Sequence, residues 1–169
     1  MTSRRAWLVL GAAGVAGVAS LGGCGFELQR PPELRFRTLA LSGFAPRSPL
    51  AQALREQLLA SRTTQVVESS AQAQVVLEAL SDTREKSVVA TTAAGQVREL
   101  QLRTRLNFRV RTPQGRELIP ATEILLSRDM SYSESAALAK EQEENFLYRS
   151  MQGDIVAQVL RRLAAMPAL

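Results

Sequence analysis

The sequence predicts an α/β fold of the α+β kind: a two-layer sandwich in which a mostly antiparallel four-stranded sheet is packed by two helices, the second long and C-terminal. Three observations lead to this fold class. Residues 100–111 alternate between apolar and polar side chains, which is the period of a half-buried strand. Residues 49–61 and 135–166 instead place apolar side chains four positions apart, which is the period of an amphipathic helix.

The first strand and the first helix are expected early in the folded domain. Residues 34–41 carry spaced apolar side chains and predict a strand. Ser48 is suited to cap a helix that has Pro49 at its first position, where the missing N–H of proline is not needed. A short strand near residues 66–67 follows this helix. The buried stripe expected on the helix is Leu50, Leu54 and Leu58.

The next stretch of the chain is expected to form a strand and a hairpin turn. Residues 75–80 are apolar and β-branched enough for a buried strand. Residues 81–86 are polar or charged and lead to the apolar pair 88–89, so this interval is either a bend or a long edge strand. Residues 93–96 contain a Gly-Gln pair and predict the turn of a hairpin.

Two further strands are expected to pair across a second turn. The polar face of the strand at residues 100–111 consists of Gln101, Arg103, Arg105, Asn107, Arg109 and Arg111. Residues 112–115 place Pro and Gly at the second and fourth positions of a type I turn. Residues 118–132 then pair back, and Pro120 predicts an edge or a bulge because it cannot donate a ladder hydrogen bond.

The C-terminal helix is the longest expected element. Its apolar residues recur every four positions and form one stripe, which is sufficient to cover one face of the sheet. The residues of this stripe are Leu147, Met151, Ile155, Val159 and Leu163.

The N-terminus carries the parts of an export signal. Arg4 and Arg5 form a basic start, and the apolar run of residues 6–19 is shorter than the ~20 residues that a bilayer-spanning helix needs. Small residues then precede Cys24, the one cysteine of the chain. Residues 3–8 also look like a twin-arginine signal, so both this route and the general secretion route stay open.

The N-terminal segment that ends at Cys24 resembles the signal peptide of a lipoprotein. The resemblance implies that residues 1–23 are a removed signal peptide, that residues 24–33 are a tether, and that residues 34–169 form the folded domain. Cys24 would carry a diacylglycerol and an N-acyl lipid, and several acyl chains together give a lasting membrane anchor. Gly25 stands where lipoproteins retained in the inner membrane typically have Asp, which favours an outer-membrane address.

Composition excludes several classes of function. The chain has no histidine and its one thiol is expected to be acylated, which excludes His- or Cys-based zinc sites and Ser-His or Cys-His nucleophiles. Neither Lys86 nor Lys140 follows a serine at the spacing of a Ser-x-x-Lys hydrolase. We therefore expect no enzyme, no metal and no cofactor besides the lipid. Export from the cytoplasm also argues against a nucleic-acid partner.

The polar face of residues 100–111 is rich in arginine. A sheet covered by helices on one side leaves this face to water, a ligand or another protein. Arginine binds phosphate and carboxylate through two parallel hydrogen bonds, so the face is a candidate surface for a polyanion or for a partner. The alternative is pairing with carboxylates on the neighbouring strand, such as Glu123 and Asp129. The arginines concerned are Arg103, Arg105, Arg109 and Arg111.

Several short motifs lie in a fixed order along the expected mature chain. Residues 24–28 read Cys-Gly-Phe-Glu-Leu, residues 48–50 begin a helix, and residues 95–96 form a Gly-Gln hairpin turn. Residues 137–140 read Ala-Leu-Ala-Lys and open a helix that closes with Arg-Arg-Leu at residues 161–163. In this order the motifs resemble the LPS-assembly lipoprotein LptE family, and the similarity covers nearly all of the mature chain.

This resemblance implies a plug inside the lumen of LptD, a large outer-membrane β-barrel, in a 1:1 pair that inserts lipopolysaccharide into the outer leaflet. It also implies lipopolysaccharide binding and support of barrel assembly. The expected location is the cell outer membrane, lipid-anchored on the periplasmic side and inserted in the barrel lumen. The alternative function is a general envelope lipoprotein that binds another periplasmic protein or a cell-wall polymer.

The resemblance also suggests site residues. Lys140 matches the lysine of the family's Ala-Leu-Ala-Lys stretch and is the candidate contact for a lipopolysaccharide phosphate, with Arg98 beside the hairpin as a weaker partner. The alternative for Lys140 is a solvated helix residue that pairs with Glu144, four positions later.

Overall fold

The structure is a computed structural model that describes residues 33–61 and 63–167. The predicted signal peptide, Cys24 and nearly all of the predicted tether lie outside the described residues. The strands are β1 (Thr38–Ser42), β2 (Gln65–Val67), β3 (Val75–Thr91), β4 (Val97–Arg111) and β5 (Glu117–Ser131). The helices are α1 (Pro49–Ala60) and α2 (Ala137–Ala164). Neither combines the length and the hydropathy that a membrane span requires.

One sheet contains these strands in the order β2-β1-β3-β4-β5. β1 runs parallel to both β2 and β3, whereas β3, β4 and β5 are antiparallel neighbours. The predicted fold class is confirmed, including the long C-terminal helix. The short strand expected near residues 66–67 is present as β2. It pairs with β1, so the sheet has five strands rather than the four expected.

β3 settles the interval that the sequence left open, because it is one strand of 17 residues. Residues 75–78 pair with β1 on one side, and residues 76–78 also pair with β4 on the other. Beyond a bulge between Ala79 and Ser81, β3 pairs with β4 and is an edge strand. Water can reach this outer part, which explains why it tolerates polar and charged side chains.

Both predicted hairpin turns are present. The Gly95 N–H donates to the Thr92 carbonyl oxygen at 2.9 Å, and the Gly115 N–H donates to the Thr112 carbonyl oxygen at 3.0 Å. The edge position predicted from Pro120 is confirmed, because β5 is the last strand and its register with β4 shifts close to this proline.

Both helices pack on the same face of the sheet. The predicted cap of α1 is confirmed, because the Ser48 Oγ accepts a hydrogen bond from the Ala51 N–H at 3.2 Å. In α2 the predicted stripe is buried except for Leu147, which is half-buried. From β4 the side chains that face the helices are Leu100, Leu102, Leu106, Phe108 and Val110, as the alternation predicts.

The core has two parts that matter for the site. In the larger part, α1 and the C-terminal half of α2 cover the middle of the sheet. In the smaller part, the N-terminal half of α2 covers Leu100, Leu102 and Met130 with its own Tyr148 and Met151. The smaller part leads to the end of the sheet where β5 connects to α2.

Candidate functional site

A cleft of about 360 Å³ lies where β5 leads into α2. Its apolar lining comes from Leu100 and Met130, and its polar lining comes mainly from the first turns of α2. Lys86 of β3 and Lys140 of α2 both line it. Since these are the two lysines of the chain, residues 54 positions apart converge on one site.

Lys140 is held by two polar partners inside this cleft. Its Nζ donates to the Ser131 Oγ at 2.9 Å and to the Glu143 Oε2 at 2.8 Å. The side chain is 19% exposed. An ion pair between Lys140 and Glu144 was the alternative to a binding role on the basis of the sequence, but in the structure Lys140 pairs with Glu143. The role of Lys140 as a phosphate contact stays a prediction.

Glu144 pairs instead with a lysine from the sheet. The Lys86 Nζ lies 2.9 Å from the Glu144 Oε2, and this hydrogen bond holds the pKa of Lys86 above its ordinary value. One turn further along α2, the Tyr148 hydroxyl donates to the Glu85 carbonyl oxygen at 2.8 Å. Burial raises the pKa of Tyr148. These contacts fasten the outer part of β3 to α2.

A second group of contacts continues this attachment towards α1. The Arg84 Nη2 donates to the Gln152 Oε1 at 2.6 Å, and its guanidinium carbon lies 5.3 Å from the centre of the Tyr148 ring. The Gln152 Nε2 in turn donates to the Pro49 carbonyl oxygen at 2.6 Å. The attachment between β3 and α2 is therefore largely polar.

Arg98 lies beside the cleft rather than in it. It lines a neighbouring depression of about 280 Å³ together with Ser133 and Glu134. Tyr132 lines both depressions, and its N–H donates to the Arg98 carbonyl oxygen at 2.8 Å. The structure thus brings Arg98 and Lys140 to the same end of the sheet, on two surfaces that share one tyrosine.

The arginine face is the side of the β3-β4-β5 sheet that the helices leave uncovered. Arg109 makes two parallel hydrogen bonds of 3.1 Å to Glu78, and the Arg111 Nε reaches the same carboxylate at 2.9 Å. Arg105 pairs with Glu123 at 3.2 Å. Pairing with carboxylates of neighbouring strands, the alternative to a polyanion-binding surface, is therefore observed for three of the four arginines.

Arg103 differs from its neighbours on this face. Its Nε donates to the Gln101 Oε1 at 2.7 Å, and the Gln101 Nε2 donates onward to the Asp129 Oδ1 at 2.9 Å. No ion pair within 4.0 Å joins Arg103 to a carboxylate in the part of the chain that the structure describes. Arg103 is therefore the one of these four arginines without a direct ion pair, although Glu85 lies opposite it in the β3-β4 ladder.

Glu78 belongs to this face as the shared partner of two arginines, a role that was not predicted from the sequence. The hydrogen bond from Arg111, reinforced by Arg109, holds the pKa of the Glu78 carboxyl below its ordinary value despite some desolvation. A signal was available, since Glu78 interrupts the apolar run 75–80. A charged residue in such a strand needs a partner, although the sequence does not identify it.

Within residues 33–61 and 63–167, no cluster of three or more Asp, Glu, Cys or His side chains is arranged to hold a metal ion.

Comparison with known proteins decides the family. The family model LptE, described as lipopolysaccharide-assembly, matches residues 36–163. The chain belongs to the LptE family. An LPS-assembly lipoprotein LptE of Pectobacterium atrosepticum is 30% identical over 165 residues, which cover 96% of this chain and 86% of the relative. The LptE of Photorhabdus laumondii is 31% identical over 170 residues, covering 96% and 87%.

Solved structures agree with the LptE assignment. Lipoprotein B from Nitrosomonas europaea superimposes with a TM-score of 0.71 at 29% identity, covering 83% of this chain and 91% of that one. Rare lipoprotein B from Shewanella oneidensis gives 0.63 at 26% identity, covering 76% and 95%. As a member of the LptE family, the protein is a non-enzymatic outer-membrane lipoprotein of lipopolysaccharide assembly.

Proposed function

We propose that this LptE-family protein plugs the lumen of the LptD β-barrel in a 1:1 pair. Together they assemble lipopolysaccharide at the outer-membrane surface, and the plug binds lipopolysaccharide and supports assembly of the barrel. The diacylglycerol and N-acyl lipid on Cys24 anchor it on the periplasmic side. The observation that carries this proposal is a polar, uncovered arginine face backed by an apolar core.

The charge balance of the arginine face favours a barrel wall over a polyanion. The interior of an outer-membrane barrel is polar, so a plug needs hydrogen-bonding groups on its surface. Arg105, Arg109 and Arg111 offer such groups while they are ion-paired with two carboxylates of the same sheet, Glu123 and Glu78. A long polyanion would have to compete with those carboxylates along the whole face.

The cleft supports the lipopolysaccharide contact. Lipopolysaccharide is an amphiphile with phosphate groups. The cleft combines the ammonium group of Lys140 with the edges of Leu100 and Met130, two largely buried apolar side chains that reach its wall. Lys140 would bind a phosphate there, and Arg98 would contribute from the neighbouring depression. Both kinds of chemistry are thus available at one end of the sheet.

Copurification tests the barrel proposal. The full-length lipoprotein, tagged and extracted in mild detergent, should retain LptD in near-equal amount. A photocrosslinking residue at Ser127, which lies opposite Arg103 on the uncovered face, should then form an irradiation-dependent adduct with the barrel. If no barrel is retained or crosslinked, the alternative hypothesis of a general envelope lipoprotein is favoured instead.

Charge reversal tests the lipopolysaccharide contact. Lys140→Asp should weaken binding of purified lipopolysaccharide while circular dichroism remains unchanged. Arg149→Asp is the matched control, because it makes the same charge change at an exposed position of α2. Equal binding by both variants would remove Lys140 from the proposed site.

A further inference from the structure

The cleft contains an ion pair that the helical spacing alone does not predict. Lys140 and Glu144 lie four residues apart on α2, so their side chains can meet on the helix surface. The Glu144 carboxylate is nevertheless 2.9 Å from the Lys86 Nζ, on the neighbouring strand. Glu144 is therefore held by the sheet and not by its own helix.

We infer that Lys86 is a positioning residue for Lys140: by holding Glu144, it keeps this carboxylate away from the Lys140 ammonium and leaves that ammonium able to bind a phosphate. The inference rests on the proposed lipopolysaccharide contact of Lys140. It assigns a role to Lys86 that requires no contact between Lys86 and the lipid.

The hydrogen-bond inventory of the ammonium group gives the reason. A lysine ammonium has three N–H donors, and Lys140 gives two of them to Ser131 and Glu143. One donor remains for a ligand. If Glu144 also turned to Lys140, it would take this donor and place a second carboxylate beside any incoming phosphate, which like-charge repulsion disfavours.

Burial makes the effect large enough to measure. The side chains of Lys140 and Glu144 are 19% and 22% exposed, so water screens their interaction less than it screens a pair at an open surface. The groups that could compete for either partner from the same cleft are Glu141, Tyr132 and Asn145. None of them carries a positive charge, so Lys86 is the cation of the cleft, apart from Lys140, that can hold Glu144.

Four variants of the full-length lipoprotein in mild detergent test this inference: Lys86→Met, Lys86→Arg, Glu144→Gln, and the double substitution Lys86→Met with Glu144→Gln. Labelling lysine at the ε-carbon gives one signal for each of two lysines, so Lys140 can be followed directly. Its signal should move in Lys86→Met, as Glu144 turns to it, and return in the double variant. A Lys140 signal that stays in place in Lys86→Met overturns the inference without any use of lipopolysaccharide.

Binding of purified lipopolysaccharide supplies the second readout. Lys86→Met should weaken binding about three- to fivefold, the range that corresponds to one partly screened ion pair. Lys86→Arg, which retains a cation for Glu144, and the double variant should both bind as the unmodified protein does. The same lipopolysaccharide without its phosphates should not discriminate among the variants.

The outcomes separate the inference from the function beneath it. If the double variant binds as weakly as Lys86→Met, Lys86 contacts the ligand or supports the fold, and the positioning role is wrong. If Lys140→Asp leaves binding intact, the phosphate contact itself fails, whatever the lysine signals show. The two failures are therefore distinguishable.

Discussion

Glu78 illustrates at the residue scale how strand register creates a site. It lies opposite Arg109 in the β3-β4 ladder, and Arg111 reaches the same carboxylate from two positions along β4. The bulge between Ala79 and Ser81 sets which residues meet on either side of it. The pairing of Glu78 with two arginines could not be derived from the sequence. Alternation predicts which face of a strand a side chain lies on, but it does not predict the neighbouring strand's residue that it contacts.

Glu78→Gln should lower the free energy of unfolding at pH 7 by about 1 kcal/mol, because it removes the carboxylate from two partly exposed ion pairs. The pKa of Glu78 is below its ordinary value of 4.5, so its stabilisation is present above pH 4.5 and disappears as the pH falls through the lowered pKa. Denaturant unfolding of both proteins between pH 7 and pH 3 should show the difference shrinking. Glu123→Gln, at a single exposed pair, is the control and should change stability by less than about 0.5 kcal/mol.

Replacement of Gly43 by a residue with a side chain should lower the stability of the fold through a direct steric clash. Its φ is 77°, and a Cβ at this position would collide with the Ala79 carbonyl oxygen of β3. Gly43→Ala should therefore cost about 3 kcal/mol or more in thermal unfolding. Gly95→Ala is the matched control, because Gly95 also has a positive φ but open space around it, and should cost about 1 kcal/mol. Equal losses would mean that the close approach to Ala79 is unimportant.

At the scale of elements, one side of α2 packs in the core and stabilises the fold, whereas the other side faces solvent. Met151 is fully buried in the smaller core, whereas Phe146 on the same helix is 62% exposed. Met151→Ala should lower the free energy of unfolding by about 2 to 5 kcal/mol, because it leaves a cavity under the helix. Phe146→Ala should change it by no more than about 0.5 kcal/mol in the same denaturant titration. A large effect at Phe146 would contradict this orientation of α2.

The elements that the sequence predicts well are those with a clear period and a marked end. α1 begins after Ser48, β4 alternates along its length, and both hairpin turns contain glycine where φ is positive. The sequence does not decide between a bend and a strand for the outer part of β3, because an edge strand need not alternate. The ion pair between Lys86 and Glu144 could not be predicted, since it joins residues 58 positions apart on two different elements.

At the scale of the whole molecule, the anchor proposed for Cys24 can be tested independently of the fold. Cys24→Ser should prevent lipid attachment and release the protein from outer-membrane fractions, because the acyl chains supply the hydrophobic attachment. Fractionation and mass spectrometry of the mature chain would detect the change. Ser20→Ala, a change that leaves the cysteine intact, serves as the control. Unchanged processing and membrane attachment in Cys24→Ser would refute the anchor.

The ion pairs of the arginine face have a kinetic consequence for the proposed assembly with a barrel. A surface of unpaired charges attracts its partner over distance. Arginines that are paired with neighbouring carboxylates project a weaker field, which salt screens beyond the Debye length of ~8 Å in physiological salt. Encounter between this surface and the proposed barrel should then depend less on ionic strength than encounter with a face of unpaired arginines would. Correct docking would depend on the complementary shapes of the two surfaces once they touch.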